Sequence, residues 1–223
     1  TIFVLTYVLG FFLRENIAGG AEKDFLEFTW PAILSFKSDF YYTLKNYGSF
    51  GEGSLPLFHI INAFLNPFTH NQFFFQGSIT IISLINLIIF SGIIEKKLKL
   101  RKLDAAIYSS IFLILPFFRS SAFWGITENL GWLFLILSIK YYDLYDRENY
   151  KGRILNIFLL CLFSSLALYV RPYLVFFPIF IILKSLSYKD FYLLKFSSIF
   201  YLLFSIPGFI LILLWDGIFK LGN

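Results

Sequence analysis

Long runs of apolar residues dominate this sequence, and they restrict the folds open to it more than any other feature. Beyond residue 72, six runs lack strand-like alternation and are long enough to cross, or nearly cross, a bilayer: residues 73–94, 105–118, 122–142, 154–170, 172–186 and 191–215. Residues 2–13 form a shorter run, which we interpret as the end of a truncated first span. The sequence therefore predicts an all-α fold, a polytopic transmembrane bundle of about seven helices.

The composition indicates the same class of protein. Hydrophobic residues make up 58% of the chain and charged residues 15%, whereas soluble domains average about 25% charged residues. The chain starts at Thr1 inside an apolar run and contains no methionine, so we expect it to be a fragment. We interpret residues 1–223 as a single transmembrane domain.

Residues 14–72 differ from the rest of the chain because they mix glycine, proline and asparagine with acids and aromatic residues. Two short stretches in this segment, residues 24–36 and 55–68, have the composition of helices that lie at a membrane interface. We predict that the segment is a long extracytoplasmic first loop with two interfacial helices. Six spans over residues 73–215 and a short extracytoplasmic end over residues 216–223 would follow it.

The positions of lysine and arginine predict the orientation of the bundle, because short basic loops stay on the cytoplasmic side. The connections over residues 95–104, 140–153 and 184–190 are basic, so we expect them to be cytoplasmic. An alternating path then places the long loop, a short turn at Arg119 and a turn at Arg171 and Pro172 on the opposite face. The membrane would be the bacterial inner membrane or the endoplasmic reticulum, with the active face periplasmic or lumenal.

Polar residues on this second face are candidates for function, because a charge at membrane depth usually faces a cavity or a partner. They are Glu22, Asp24, Glu27, Asp39, Glu52, His59, His70, Arg119, Glu128, Asn129, Arg171 and Asp216. Arginine binds phosphate oxygens bidentately and keeps its charge near a bilayer, and a carboxylate can act as a general base. The combination favours a lipid-phosphate-linked substrate. The alternative is that each arginine only reaches the headgroup phosphates at the interface.

Other classes of site have little support in the sequence. Cys161 is the single cysteine, and no second cysteine or paired histidine gives a metal-ligand spacing. A divalent metal is compatible with the proposed chemistry but not required, since two arginines can neutralise a phosphate. Nothing in the sequence predicts binding to nucleic acid, despite a net charge of +5.

Several stretches resemble a known enzyme superfamily. Two stretches follow the first apolar run: AEKDFLEFTWPAI, over residues 21–33, which contains Asp24, and YGSFGEGSLPLFHIINAFLNPF, over residues 47–68. This pattern resembles the GT-C superfamily of integral-membrane glycosyltransferases. Within this superfamily, three further stretches are similar to segments of the dolichyl-phosphate-glucose-dependent glucosyltransferases. They are LPFFRSSAFWGITENLGWLFLIL, YVRPYLVFF and LLWDGIFKLGN, which start at residues 115, 169 and 213.

The resemblance implies a fold and a mechanism. The fold is a GT-C-like helical bundle, and the donor is a polyprenyl-phosphate sugar, with a glycan, lipid or protein as acceptor. In this superfamily an acid of the first loop acts as general base in an inverting displacement, and a polyprenyl phosphate leaves. That role falls by position on Asp24, with Glu22 as the second candidate. The competing interpretation of Asp24 is a helix N-cap.

The remaining site residues are assigned from their chemistry. Arg119 and Arg171 are candidates for holding the phosphate of the donor, and Glu128 for binding sugar hydroxyls or positioning an arginine. His59 is a candidate for a hydrogen bond to the substrate or its phosphate. Its competing interpretation is a packing residue on an apolar interfacial helix.

A transporter or a flippase for lipid-linked glycans is the alternative function, and a non-catalytic scaffold is a third. Transporters usually contain internal repeats and helices broken near the midplane. The sequence has no repeat, although Pro116, Pro178 and Pro207 interrupt predicted spans. Charged residues gathered at one membrane face would favour an enzyme, whereas charged residues along a path through the bundle would favour a carrier.

Overall fold

A computed structural model describes residues 2–17, 19–50, 54–147 and 153–215, and in these residues it shows helices and no strand. The α-helices in this part of the chain are α1 (Ile2–Phe12), α2 (Ala21–Asp24), α3 (Trp30–Ser38), α4 (Phe40–Lys45), α5 (Leu57–Leu65), α6 (Gln72–Leu98), α7 (Lys102–Ser110), α8 (Pro116–Phe123), α9 (Glu128–Arg147), α10 (Arg153–Val170), α11 (Phe176–Ser187) and α12 (Phe191–Leu214). The all-α prediction is confirmed for this part.

Three of these helices, α6, α10 and α12, are long and apolar enough to cross a membrane. A fourth span exists if α7, α8 and the 3-10 turn Ile111–Ile114 between them are counted together. Two shorter apolar helices cover Ile2–Phe12 and Pro172–Ser187. The described residues thus contain three or four helices that could span a membrane, and the count of about seven stays a prediction.

The predicted span 105–118 is divided in the structure. Leu115 has an extended backbone and Pro116 begins α8, in accordance with the tendency of a residue before proline to leave the helical region. The two halves are bent by 73°. Arg119 therefore lies inside α8, and the turn comes later, between Phe123 and Glu128, where Gly125 has a φ of +70°.

The loop contains the two helical regions that the sequence predicts, with different bounds. The first is continuous through α2, a π-helical turn over Phe25–Thr29, and α3, and the second is α5. Asp24 has helical φ and ψ angles within this continuous helix and makes no side-chain cap hydrogen bond to the π-helical turn that follows it, which contradicts the N-cap interpretation. Glu52, Asp216 and the predicted end over residues 216–223 lie outside the described residues.

The loop helices cover one end of the bundle. Phe25 stacks on Phe75 near the start of α6, with ring centroids 5.9 Å apart. The indole of Trp215, directly after α12, donates to the Leu44 carbonyl at 2.7 Å, and α5 contacts α10. We call this the loop end. It includes the end of α1, the starts of α6 and α9, and the ends of α8, α10 and α12.

Charged and tyrosine side chains join the helices at the opposite end, which we call the basic end. Lys97 of α6 pairs with Asp143 of α9 at 3.7 Å. Tyr145 of α9 donates to Asp190, just before α12, at 2.6 Å, and the Arg153 guanidinium lies 4.9 Å from its ring centre. Burial and the bonded carboxylate both raise the pKa of Tyr145, so its hydroxyl stays a donor.

Candidate active site

Arg119 is bound on nearly all sides by groups of the protein itself. Its guanidinium donates to both carboxylate oxygens of Glu15, to the Leu113 carbonyl at 2.9 Å and to the Thr6 carbonyl at 3.0 Å. It also lies 5.8 Å from the ring centre of Tyr7 and 5.4 Å from that of Phe123. The arginine therefore fixes α1 against α8.

Two features of the sequence permit this arrangement. Gly10 of α1 lies against the Glu15 and Arg119 side chains, and a Cβ at this position would overlap both. The Glu15 carbonyl accepts from the Trp124 indole at 3.2 Å, which orients the chain after α1. The ion pair is thus enclosed, since only 9% of the Arg119 side chain is exposed.

The second predicted arginine, Arg171, pairs with the predicted acid Glu128. Glu128 is the first residue of α9, and Arg171 lies in extended backbone after α10. Arg171 donates to Glu128 Oε1. Gly131 of α9 lies against the same segment, and a Cβ there would come within 3.2 Å of Leu174 Cδ1, closer than an ordinary contact. The structure therefore brings together two candidates that are 43 residues apart in the chain.

This pair is more open than the first. The Arg171 side chain is 23% exposed, and its buried Nε has no hydrogen-bond partner among the described residues. A buried guanidinium N–H without a partner is costly, so it favours the approach of an acceptor such as a phosphate oxygen. Of the two predicted phosphate-binding arginines, Arg171 has the geometry for that role.

His59 lies in a buried aromatic cluster between the loop and the end of α12. Its Nδ1 is 2.8 Å from the Tyr47 hydroxyl, which is 3.3 Å from the Ser54 hydroxyl. The Trp215 ring stacks on Tyr47 with centroids 6.1 Å apart. These contacts support the interpretation of His59 as a packing residue, and its role toward a substrate stays a prediction.

The predicted bases Glu22 and Asp24 are exposed on α2 at the loop end. Phe25 anchors this helix by packing on Trp30 and Phe75, at centroid distances of 5.8 and 5.9 Å. The ion pairs of the two arginines use Glu15 and Glu128 instead. The predicted catalytic acids therefore share the loop end with the Arg171 pair.

An apolar cavity of about 570 Å³ lies between α10, α11 and α12. Its walls are almost entirely apolar, and Trp215 and Leu55 line it from the loop end. The volume falls within the roughly 300–1,000 Å³ of small-molecule sites. Tyr169, two residues before Arg171, contributes to its wall.

No family model, curated protein or solved structure matches this chain. The resemblance to glycosyltransferases consequently depends on the motifs quoted above, and the geometry must carry any functional conclusion. The described residues contain no group of three His, Cys, Asp or Glu side chains that could hold a metal ion.

Sequence reasoning missed several residues at the site. Glu15 was not a candidate, although an acid directly after the first apolar run was a usable signal. Buried polar contacts were also missed: the Asn86 amide donates to the Asn129 carbonyl at 2.8 Å, and the Asn129 amide to Ser121 at 2.8 Å. Asn86 lies within a long apolar run, which marks it as unusual.

Proposed function

We propose that this protein is a membrane glycosyltransferase of the GT-C type, with a polytopic helical bundle. It transfers a sugar from a polyprenyl-phosphate donor to an acceptor hydroxyl at the loop end, which we assign to the extracytoplasmic or lumenal face. The acceptor is a glycan, a lipid or a protein.

One observation carries the proposal: the Arg171–Glu128 pair lies at the end of α10, and α10 also forms a wall of the apolar cavity. A polyprenyl-phosphate sugar has an anionic head and a long apolar chain. The unpartnered Arg171 Nε suits a phosphate oxygen, and the cavity suits part of an isoprenoid chain. Arg171 thus suits the anionic head of such a molecule, and the cavity beside α10 suits its apolar chain.

The mechanism follows from these assignments. Asp24, or Glu22 in its place, takes the proton of the acceptor hydroxyl while that oxygen bonds to the anomeric carbon. The bond between the anomeric carbon and the phosphate oxygen breaks, and polyprenyl phosphate leaves with the electron pair. Arg171 stabilises the charge that grows on the leaving phosphate, and Glu128 holds the arginine. Arg119, bound by Glu15, fixes α1 against α8 at the same end of the bundle.

The distribution of charged residues favours an enzyme over a carrier. In α6 all charges lie in the last turns, at Glu95, Lys96 and Lys97, and in α10 the only charge is Arg153, its first residue. In α12 the charge is Lys195, its fifth residue, so the central turns of these three helices carry no charge. The buried Asn86 and Asn129 contacts are the observation that favours transport as the second candidate.

Sugar transfer tests the proposal directly. Membranes containing the full-length protein would be given radiolabelled polyprenyl-phosphate hexoses, with Asp24→Asn, Glu22→Gln and Arg171→Ala compared with the parent at matched expression. We expect Asp24→Asn to lower turnover by roughly 10²–10⁴-fold, the range of general base catalysis, with donor binding retained. Arg171→Ala should weaken donor binding.

Glu27→Gln is the matched control, since Glu27 is an exposed loop acid whose carboxylate pairs with the exposed Lys23 at 3.8 Å, one helical turn before it. It should turn over like the parent. A parent protein that consumes none of the donors would exclude the proposed function. Normal turnover by both Asp24→Asn and Glu22→Gln would exclude the assigned base.

A further inference from the structure

Tyr169 makes an unusual contact with the backbone of α12. Its hydroxyl donates to the Phe204 carbonyl at 2.8 Å and accepts from the Gly208 N–H at 2.8 Å. In a regular α-helix these two backbone groups would bond to each other, because they are four residues apart. The Tyr169 hydroxyl of α10 thus bridges the Phe204 carbonyl and the Gly208 N–H of α12, and we call this contact the Tyr169 bridge.

The preceding backbone hydrogen bond of α12 is also affected. Pro207 has no N–H to give to the carbonyl four residues before it, and proline inside a helix is a common cause of bending. Gly208 permits the contact, since a Cβ there would lie 2.9 Å from the Tyr169 hydroxyl. Two consecutive carbonyls of α12 are therefore affected: the one four residues before Pro207 has no N–H to accept from, and the Phe204 carbonyl accepts from the Tyr169 hydroxyl.

This weakened point lies in the wall of the cavity. Tyr169, Phe204 and Gly208 all line it, together with Phe209 and Ile212 from the segment beyond the proline. Half of the residues of α12 are exposed, and only Leu193 and Ser197 are fully buried. Beyond Pro207, the end of the helix is held by the Tyr169 bridge, by the contacts of Trp215 with Leu44 and Tyr47, and by apolar packing of Leu211 and Leu214.

We propose that the Tyr169 hydroxyl is a positioning group that holds the end of α12 in place and so sets how readily a lipid chain enters the cavity. When the bridge opens, residues 208–215 turn about Pro207 and the cavity widens between α11 and α12. The identification of the chain as a polyprenyl phosphate rests on the proposed function. The hinge itself does not depend on it.

Distances between spin labels test the hinge. Phe176 and Leu213 are 51% and 78% exposed and lie at the loop ends of α11 and α12. They would be replaced by labelled cysteines in a Cys161→Ala background, in lipid nanodiscs without donor. We expect one narrow distance distribution for the parent, and a longer or broader one, by several ångströms, for Tyr169→Phe.

Tyr201→Phe is the matched control. It removes another hydroxyl from the same cavity wall and the same pair of helices, but Tyr201 bonds to the Ser164 side chain at 3.0 Å. Its distance distribution should equal that of the parent. Identical distributions for Tyr169→Phe and the parent, or equal changes in both tyrosine variants, would overturn the proposal.

Gly208→Ala adds an independent arm. Its Cβ should push the tyrosine away and widen the distribution as Tyr169→Phe does. Since the hydroxyl is the atom in closest conflict with that Cβ, adding Gly208→Ala to Tyr169→Phe should change little further. Additive widening in the double variant would contradict the bridge.

Binding of radiolabelled polyprenyl phosphate measures chain entry. Tyr169→Phe should accelerate both association and dissociation several-fold, and Tyr201→Phe neither. Unchanged rates in Tyr169→Phe, alongside altered label distances, would refute the control of entry. A parent protein that binds no polyprenyl phosphate would contradict the proposed function and the named chain, while the label distances would still decide on the hinge.

Discussion

At the scale of single residues, the two arginines at the loop end differ in how completely the protein satisfies them. Arg119 donates to Glu15 and to two carbonyls, and its side chain is 9% exposed. Within the described ranges, Arg171 pairs with one carboxylate and its Nε has no hydrogen-bond partner, and its side chain is 23% exposed. The sequence predicts the same role for both arginines. Their surroundings favour a structural role for Arg119 and a binding role for Arg171.

The enclosed Glu15 should matter for stability far more than an exposed acid. Glu15→Gln leaves the Arg119 charge without its counter-ion in a buried place, and breaking a buried pair costs about 3–5 kcal/mol. Glu27→Gln makes the same chemical change in an exposed pair, which is worth about 0–1 kcal/mol. Denaturant unfolding in mixed micelles measures both, and equal losses would contradict the structural role of Glu15.

At the scale of elements, side chains and prolines decide where the helices begin and bend. Asn71 accepts from the Phe73 and Phe74 N–H groups at the start of α6, and Asp190 accepts from the Leu193 N–H at the start of α12. Pro116 divides one predicted span by a 73° bend. The composition of an apolar run is therefore a good indicator of a helix and a poor indicator of its course.

Asp190 acts on two elements, and this should be visible in unfolding. Asp190→Ala removes an N-cap, worth about 1 kcal/mol, and leaves the Tyr145 hydroxyl without its acceptor, which adds about 1–3 kcal/mol. Asp39→Ala removes only the cap of α4, where Asp39 accepts from the Tyr42 N–H at 2.9 Å. Thermal unfolding in detergent compares them, and a larger loss for Asp39→Ala would refute the double role.

At the scale of the whole molecule, the two ends of the bundle differ in their chemistry. The loop end carries aromatic clusters, the Glu15 and Glu128 ion pairs and the exposed acids of α2. The basic end gathers the lysine-rich connection after α6 and the contacts of Asp143 and Asp190. By the positive-inside rule, the short lysine-rich connection after α6 favours a cytoplasmic position for the basic end.

Chemical labelling from the two sides tests this orientation. In a Cys161→Ala background, Tyr41→Cys on α4 and Lys102→Cys at the start of α7 each give one exposed thiol. A membrane-impermeant maleimide added to intact cells or sealed lumen-out vesicles should label Tyr41→Cys at once, and Lys102→Cys only after permeabilisation. Labelling of both without permeabilisation would mean that the ends do not lie on opposite sides.

The helical class, the long polar loop and the basic connections can all be read from the order of residues, because apolar run length and charge position are local properties of the chain. The sequence also marked Arg171 and Glu128 as unusual. The packing of the helices was needed to show that these two residues pair, that Arg119 binds Glu15 across 104 residues, and that Tyr169 contacts the backbone of α12. Such contacts depend on which helix faces lie together, and composition and run length do not encode that geometry.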